Sequence, residues 1–306
     1  MIPYIVRRVA QSIFVLLGIS LIVFVALHLT GDPAAAMFRG ATPTKADILA
    51  MRRQLGLEQA LPVQYLIFLG NALHGNLGRS YYYQAPALSL VIDHLPATLI
   101  LTLSSMVVSL LIAFPLGILS AVRRNAPIDY VARVFALLGV SFPNFWLGIM
   151  LILIFAVRLN WLPPSGYGGP QYLVLPAVTL GMIIAGITTR LVRSSVLDVI
   201  QADYVRTARA KGLPDRRVLL HHVVRNALLP VVTYIGLQFG TLLGGAVIIE
   251  QVFSWPGVGQ LALSAVNQGD FPLVEASVLV LAALLILVNL LVDLSYAFID
   301  PRVQFK

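Results

Sequence analysis

Residues 198–230 read DVIQADYVRTARAKGLPDRRVLLHHVVRNALLP. This is the one long polar, basic interval in a chain that is otherwise mostly apolar. Its cations are Arg206, Arg209, Lys211, Arg216, Arg217 and Arg225; against them stand Asp198, Asp203 and Asp215. The pattern predicts two short helices around a turn. Gly212 supplies the left-handed conformation wanted just past a helix end. Pro214 suits the start of the next segment, and Pro230 the start of a new apolar helix. So much charge is costly in lipid. The interval is therefore expected in water, where another protein can grip it.

The rest of the chain points to lipid as its solvent. Of 306 residues, 58% are hydrophobic and 11% charged, against about 25% charged in soluble domains. A spanning helix needs about 20 apolar residues. Six candidates appear, near 9–29, 97–122, 131–157, 172–192, 231–250 and 273–298. The fourth and fifth are rich in Gly and Thr, which lets helices approach closely. They are expected inside the bundle, facing a pathway, with GTLLGG at 240–245 as the small-residue stretch. Arg7 and Arg8 precede an apolar run that continues to Leu29. That run exceeds a signal-peptide core and has no clear small-residue cleavage site, so it is read as a retained first helix.

Orientation follows from the cations near the span ends. Arg7, Arg8, Arg123, Arg124, Arg133, Arg190, Arg193, the six of the basic interval, Arg302 and Lys306 share one side, 15 of the 21. This places both termini and the 198–230 loop in the cytoplasm. The same clustering accounts for the net charge of +8 without nucleic acid.

Outside the membrane, 31–93 is long enough for a small structure. Thr42-Pro43 is expected to cap a helix carrying Ile48, Met51 and Leu55. Leu61-Pro62 starts a second helix to Leu73. Tyr81, Tyr82 and Tyr83 suit an interface. The segment 251–272 contains Trp255-Pro256-Gly257 and has room for a short helix. The expected divisions are an N-terminal helix (1–30), the outside segment (31–93), a core (94–298) and a tail (299–306).

Catalytic chemistry is thin. With no cysteine, disulfides and thiolate metal sites are excluded. None of Lys45, Lys211 and Lys306 sits in a phosphate-cradling GxxxxGK[ST] loop. His28, His74, His94, His221 and His222 are scattered, and adjacent helical residues do not share a face. No metal site or catalytic residue is assigned. Ser104, Ser105 and Ser109 lie in a span without a GxSxG setting, which argues against an intramembrane hydrolase. The costlier groups are carboxylates near the spans: Glu250, Glu275 and Asp293. Asp293 suits an interfacial ion pair, whereas Glu250 is a candidate for the mouth of a pathway.

The motifs DYVRTARAKGL (203–213) and RNALLPVVT (225–233) resemble the cytoplasmic coupling loop of ABC-importer permeases, in the dipeptide/oligopeptide/nickel branch. The likeness extends over nearly the whole chain. It takes in IVRRVAQSIFVLLGISLIVFVALHLTGDP (5–33), LPATL (95–99), SFPNFWLG (141–148), GLQFGTLLGGAVIIEQVFSWPGVG (236–259) and NLLVDLSYAFIDPR (289–302). It departs from the general family pattern where Arg206, Thr207 and Ala208 occupy the Glu-Ala-Ala positions. The resemblance implies an all-α membrane protein with six transmembrane helices and the type I importer-permease fold, in a bacterial inner membrane. It implies solute import by alternating access, driven by ATP and Mg²⁺ held in two separate ATPase subunits. A second permease subunit and a periplasmic substrate-binding protein complete the assembly; the latter is expected against 251–272. The ATPase-coupling residues are then Asp203, Tyr204, Arg206, Thr207, Ala208, Arg209, Lys211 and Gly212. Gln238, Thr241, Glu250 and Trp255 are the candidates for pathway or gate. Peptides and nickel chelates are the implied solutes, GYGG at 166–169 and SFPNFWLG looking somewhat nearer the nickel type. The alternative is an ion-coupled secondary transporter, which would need central intramembrane acids and an inverted repeat; neither is evident.

Overall fold

The computed structural model describes residues 2–38, 44–54 and 56–299. Thr42-Pro43, Leu55 and the expected tail from 300 onward lie outside the described residues, as does the side chain of Asp293. Helices carry the fold, and the described residues contain no strand beyond an isolated bridge between Arg79 and Pro86. The first half comprises α1 (Ile2–Thr30), α2 (Pro33–Ala36), α3 (Lys45–Gln54), α4 (Leu61–Leu73) and α5 (Ala87–Val122). Next come α6 (Pro127–Ser141), α7 (Asn144–Leu151) with a π-helical turn over Ile152–Arg158, and α8 (Pro170–Ile200). The chain ends with α9 (Asp203–Ala210), α10 (Asp215–Arg217) with a π-helical turn over Val218–Val224, α11 (Arg225–Phe253), α12 (Val258–Gln268) and α13 (Phe271–Ile299).

Five of the described helices are long and apolar enough to cross a membrane: Val6–Leu29, Ala87–Val122, Pro170–Ile200, Pro230–Phe253 and Phe271–Val292. The third expected span is not straight. Pro127–Ser141 and Asn144–Arg158 meet at 110°. The cause is local: a residue before proline is pushed out of the helical region, and Phe142 is extended at φ −93°, ψ 136°. The Phe142 ring then stacks on Trp146 across the bend at 4.6 Å.

The described residues form two compact units. One gathers those up to Thr98 with Pro256–Leu290; the other holds Leu99–Trp255 and the end of α13 from Leu291. In the second unit α8 is the central post: 61% of its apolar window is buried, against 11% for α1 in the first unit. Its neighbours approach through glycines. A Cβ on Gly181 would stand 2.6 Å from the Ser105 carbonyl oxygen, and one on Gly186 2.9 Å from that of Ala136. Helices in lipid gain no hydrophobic drive from touching one another, so this close van der Waals fit is what holds them.

The first unit is organised around Ala87, Val91, Val258, Leu261, Ala265 and Leu273, where α5, α12 and α13 meet. Thr98 is buried, and its Oγ1 accepts from Val258 N–H at 2.8 Å, holding the start of α12. The helix expected around Ile48 and Met51 begins at a reciprocal cap. Thr44 N–H donates to Asp47 Oδ2 at 2.9 Å and Asp47 N–H to Thr44 Oγ1 at 3.3 Å.

Gly181→Ala is expected to destabilise the protein by about 1–3 kcal/mol, the range for overpacking. Gly244→Ala, where nothing lies within 4 Å of the added carbon, is expected to leave it unchanged. Thermal unfolding in detergent of the two variants checks the contrast.

Candidate functional site

The basic interval folds as an eight-residue helix, a tight stop and a return. Asp203 opens α9 and Arg209 lies in its last turn, each sign suited to the helix dipole. Lys211 ends it and Gly212 turns left-handed at φ +78°. Gly212 N–H donates to Arg209 O at 2.9 Å and Leu213 N–H to Ala208 O at 3.4 Å. This pair of bonds is the Schellman stop.

Two faces of α9 differ sharply. Val205 and Ala208 are buried, whereas Asp203, Tyr204, Arg206, Thr207 and Arg209 are exposed. Ala208, one of the expected coupling residues, therefore turns inward and seats the helix. The seat is a cluster of Ala121, Val192, Val196, Val218, Val223, Ala227 and Val231, with Leu213 packed against it. It joins the ends of α5 and α8 to the start of α11. On the open face the ion pairs are long and wet: Arg206–Asp203 at 3.9 Å and Arg209–Asp215 at 3.7 Å. Such pairs contribute about 0–1 kcal/mol, so they leave these arginines available to a partner.

The return path departs from expectation. No new helix begins at Pro230; α10, its π-helical turn and α11 run on as one helical path, with Pro230 inside. The burial pattern gives the reason. Val218 and Val223 are five residues apart, and Ala227 and Val231 follow at intervals of four. The i→i+5 turn adds the extra residue that keeps one apolar face on the seat across the proline.

Beneath the seat lies a group the sequence reading passed over. Asp129 is completely buried and ion-paired to Arg193 of α8 at 2.7 Å and Arg133 of α6 at 2.7 Å. A single aspartate beside a turn carries no periodic signal. Arg133 and Arg193 were explained by orientation alone.

The expected pathway residues are not one cluster. Gln238 is half-buried and Thr241 exposed one turn later, the hydroxyl 3.4 Å from Gln238 Oε1. Glu250 and Trp255 are buried at the far end of α11. Trp255 N–H donates to Glu250 O at 2.8 Å around left-handed Ser254, and its ring meets Tyr167 edge-on at 4.8 Å. The indole is thus packed in protein.

In the other unit, buried Asp270 organises the tyrosine segment. It accepts from the Ser80 hydroxyl and from Tyr82 N–H. Tyr82 and Tyr83 remain exposed. Burial, helped by the Glu275 and Asp270 carboxylates, pushes the Tyr81 phenol up to about 12. Among the described residues no group of three or more His, Asp or Glu is placed to hold a metal.

Long apolar helices joined through a seated cationic elbow mark an integral membrane protein. Residues 113–305 match the model of the binding-protein-dependent transport system inner membrane component, and residues 1–102 its N-terminal companion. The chain belongs to this family: it is the permease subunit of an ABC importer, multi-pass in the inner membrane, and hydrolysis of ATP falls to separate subunits. Among curated relatives it is 42% identical over 307 residues to the glutathione transport system permease protein GsiC of Salmonella typhi. It is 41% identical to that of Escherichia coli (strain K12). Each match covers 100% of both chains. Among solved structures, the inward-facing MetNI methionine ABC transporter aligns with TM-score 0.55 at 21% identity, over 71% of this chain and 97% of that one. An amino acid ABC transporter aligns with TM-score 0.53 at 16% identity, over 70% and 94%. At those identities the structures speak for the fold alone.

Val205→Asp puts a carboxylate into the apolar seat, a change costing about 3–5 kcal/mol where nothing compensates it. Hydrogen–deuterium exchange over 203–213 is expected to quicken about a hundredfold or more. Arg206→Ala, on the open face, is expected to leave it at the wild-type rate; equal exchange in both variants would refute a packed seat.

Proposed function

We propose that this subunit passes short peptides or related small polar solutes, nickel chelates included, through the inner membrane by alternating access, and that the open face of α9 is where ATPase closure is received. The observation that carries this is the division of α9: Val205 and Ala208 inward, Tyr204, Arg206, Thr207 and Arg209 outward. The seat makes the helix stiff relative to α8 and α11, so a push on it reaches both. Asp203, Lys211 and Gly212 frame the contact. Two ATPase subunits hold the ATP and Mg²⁺; this chain supplies no phosphate-binding loop. A second, non-identical permease subunit completes the conduit, and a periplasmic binding protein delivers solute. The termini and 198–230 lie in the cytoplasm, by the arginine and lysine distribution. The divisions 1–30, 31–93, 94–298 and 299–306 belong to the same reading.

The solute class leans on relatives named for glutathione transport, which favours short peptides over nickel chelates. Competition binding to the partner binding protein, with glutathione, di- and tripeptides and nickel–histidine, tests it. Gln238 and Thr241 line the pathway in this proposal, and buried Glu250 with Trp255 closes its outer mouth.

Two outcomes check these roles. Tyr204→Ala with Arg206→Glu is expected to weaken co-purification of the ATPase subunits by about tenfold or more, the scale of a lost interface anchor. Wild-type recovery of both would overturn the docking face. Glu250→Gln is expected to lower uptake about tenfold, a coupling-sized loss, with ATPase attachment intact; normal uptake in vesicles would remove Glu250 from the gate.

A further inference from the structure

Asp129 accepts five hydrogen bonds from four residues. Its Oδ1 receives Ser120 Oγ–H at 2.6 Å and Arg193 Nε–H at 2.7 Å. Its Oδ2 receives Asn125 N–H at 3.0 Å, Arg133 Nη2–H at 2.7 Å and Arg193 Nη2–H at 3.1 Å. Arg193 Nε is also 3.0 Å from Ser120 Oγ. One carboxylate thus ties the end of α5, the left-handed Asn125 turn, the first turns of α6, and α8. The rest of Arg133 is held too, its guanidinium 4.7 Å over the Tyr130 ring.

Such a cluster is a weak device for stability, since apolar side chains of the same volume often do as well. What it adds is geometry. A bidentate guanidinium fork fixes both separation and orientation, where an apolar contact slides. The position matters as well. Arg193 lies seven residues before the end of α8 at Ile200, about two helical turns. Its neighbour Val192 is in the seat of α9, as is Ala121 beside Ser120. Further along, α6 runs against α8 where a Cβ on Gly139 would stand 3.1 Å from the Met182 carbonyl oxygen. It then reaches the 110° bend.

We propose that Asp129 is a positioning residue for energy coupling: its bidentate bond to Arg193 locks the α5–α6 turn and α6 to the stem of α8, so that displacement of α9 carries α6 with it to the bend at Phe142–Pro143. Without the lock, the seat moves while the α5–α6 turn lags, and ATP is spent without a matched change in the pathway. The inference rests on the reading of α9 as the ATPase contact.

The test uses the full complex, with its ATPase and binding-protein partners, reconstituted in proteoliposomes and supplied with glutathione or a dipeptide. The readout is solute moved per ATP hydrolysed. Asp129→Asn keeps the volume and removes the charge. It is expected to assemble and hydrolyse ATP while the ratio falls about tenfold; Arg193→Lys, which keeps the charge but not the fork, is expected to follow it. The chain has no cysteine, so Asp129→Cys with Arg193→Cys in cysteine-free partners allows a tether. A short bis-thiol reagent is expected to restore the ratio there. A wild-type ratio in Asp129→Asn overturns the proposal, and so does a loss that the tether leaves unrepaired, the mark of a merely structural role. Should Asp129→Asn not assemble, Arg193→Lys decides by the same ratio. A wild-type complex that retains no ATPase fails the α9 reading itself, and is seen before any variant is compared.

Discussion

The apolar seat beneath α9 is the contact on which the rest turns. A helix of eight residues is too short to persist in water by its own hydrogen bonds. It exists because Val205 and Ala208 are buried among the ends of α5, α8 and α11, and because the Gly212 stop satisfies its last carbonyls. The same packing leaves the tyrosine and the cations outside, so one interaction both builds the elbow and presents its cationic face. The π-helical turn over Val218–Val224 serves that seat, shifting the apolar register by one residue before α11 begins.

Within the spans, lipid removes the option of leaving backbone groups to water. The structure contains irregular backbone nonetheless: the break at Phe142, the π-helical turn over Ile152–Arg158, Pro176 inside α8 and Pro230 inside α11. Ser141, Phe142 and Pro143 at the break are exposed in this chain, and burial resumes in α7. Gly148, one turn beyond it, brings α7 against Phe253, Val252 and Thr179, so α7 lies on α8 and α11.

Buried polar side chains do comparable work in both units. Asp270 gathers Ser80 and Tyr82 in one, and Asp129 gathers Ser120, Asn125, Arg133 and Arg193 in the other. Each pins a connection between helices that would otherwise be soft. Both are placed beside exposed features, the tyrosine pair in one case and the cationic elbow in the other.

The helical composition, the positions of the long apolar helices, the elbow at Gly212 and the helix in 251–272 were legible in the sequence because they follow from local rules. Apolar length, proline, glycine and periodicity act over a few residues. The motifs from 5 to 302 carried the family for the same reason. The bend at Pro143 was written there as well, but the apolar run masked it, since hydropathy is blind to direction. What only the tertiary structure decided is which groups meet. Arg193 is 64 residues from Asp129, and Val205 reaches its seat through residues from 121 to 231. Ala208 faces inward and Trp255 is enclosed for the same reason: burial depends on neighbours distant in the chain, and no local pattern encodes them.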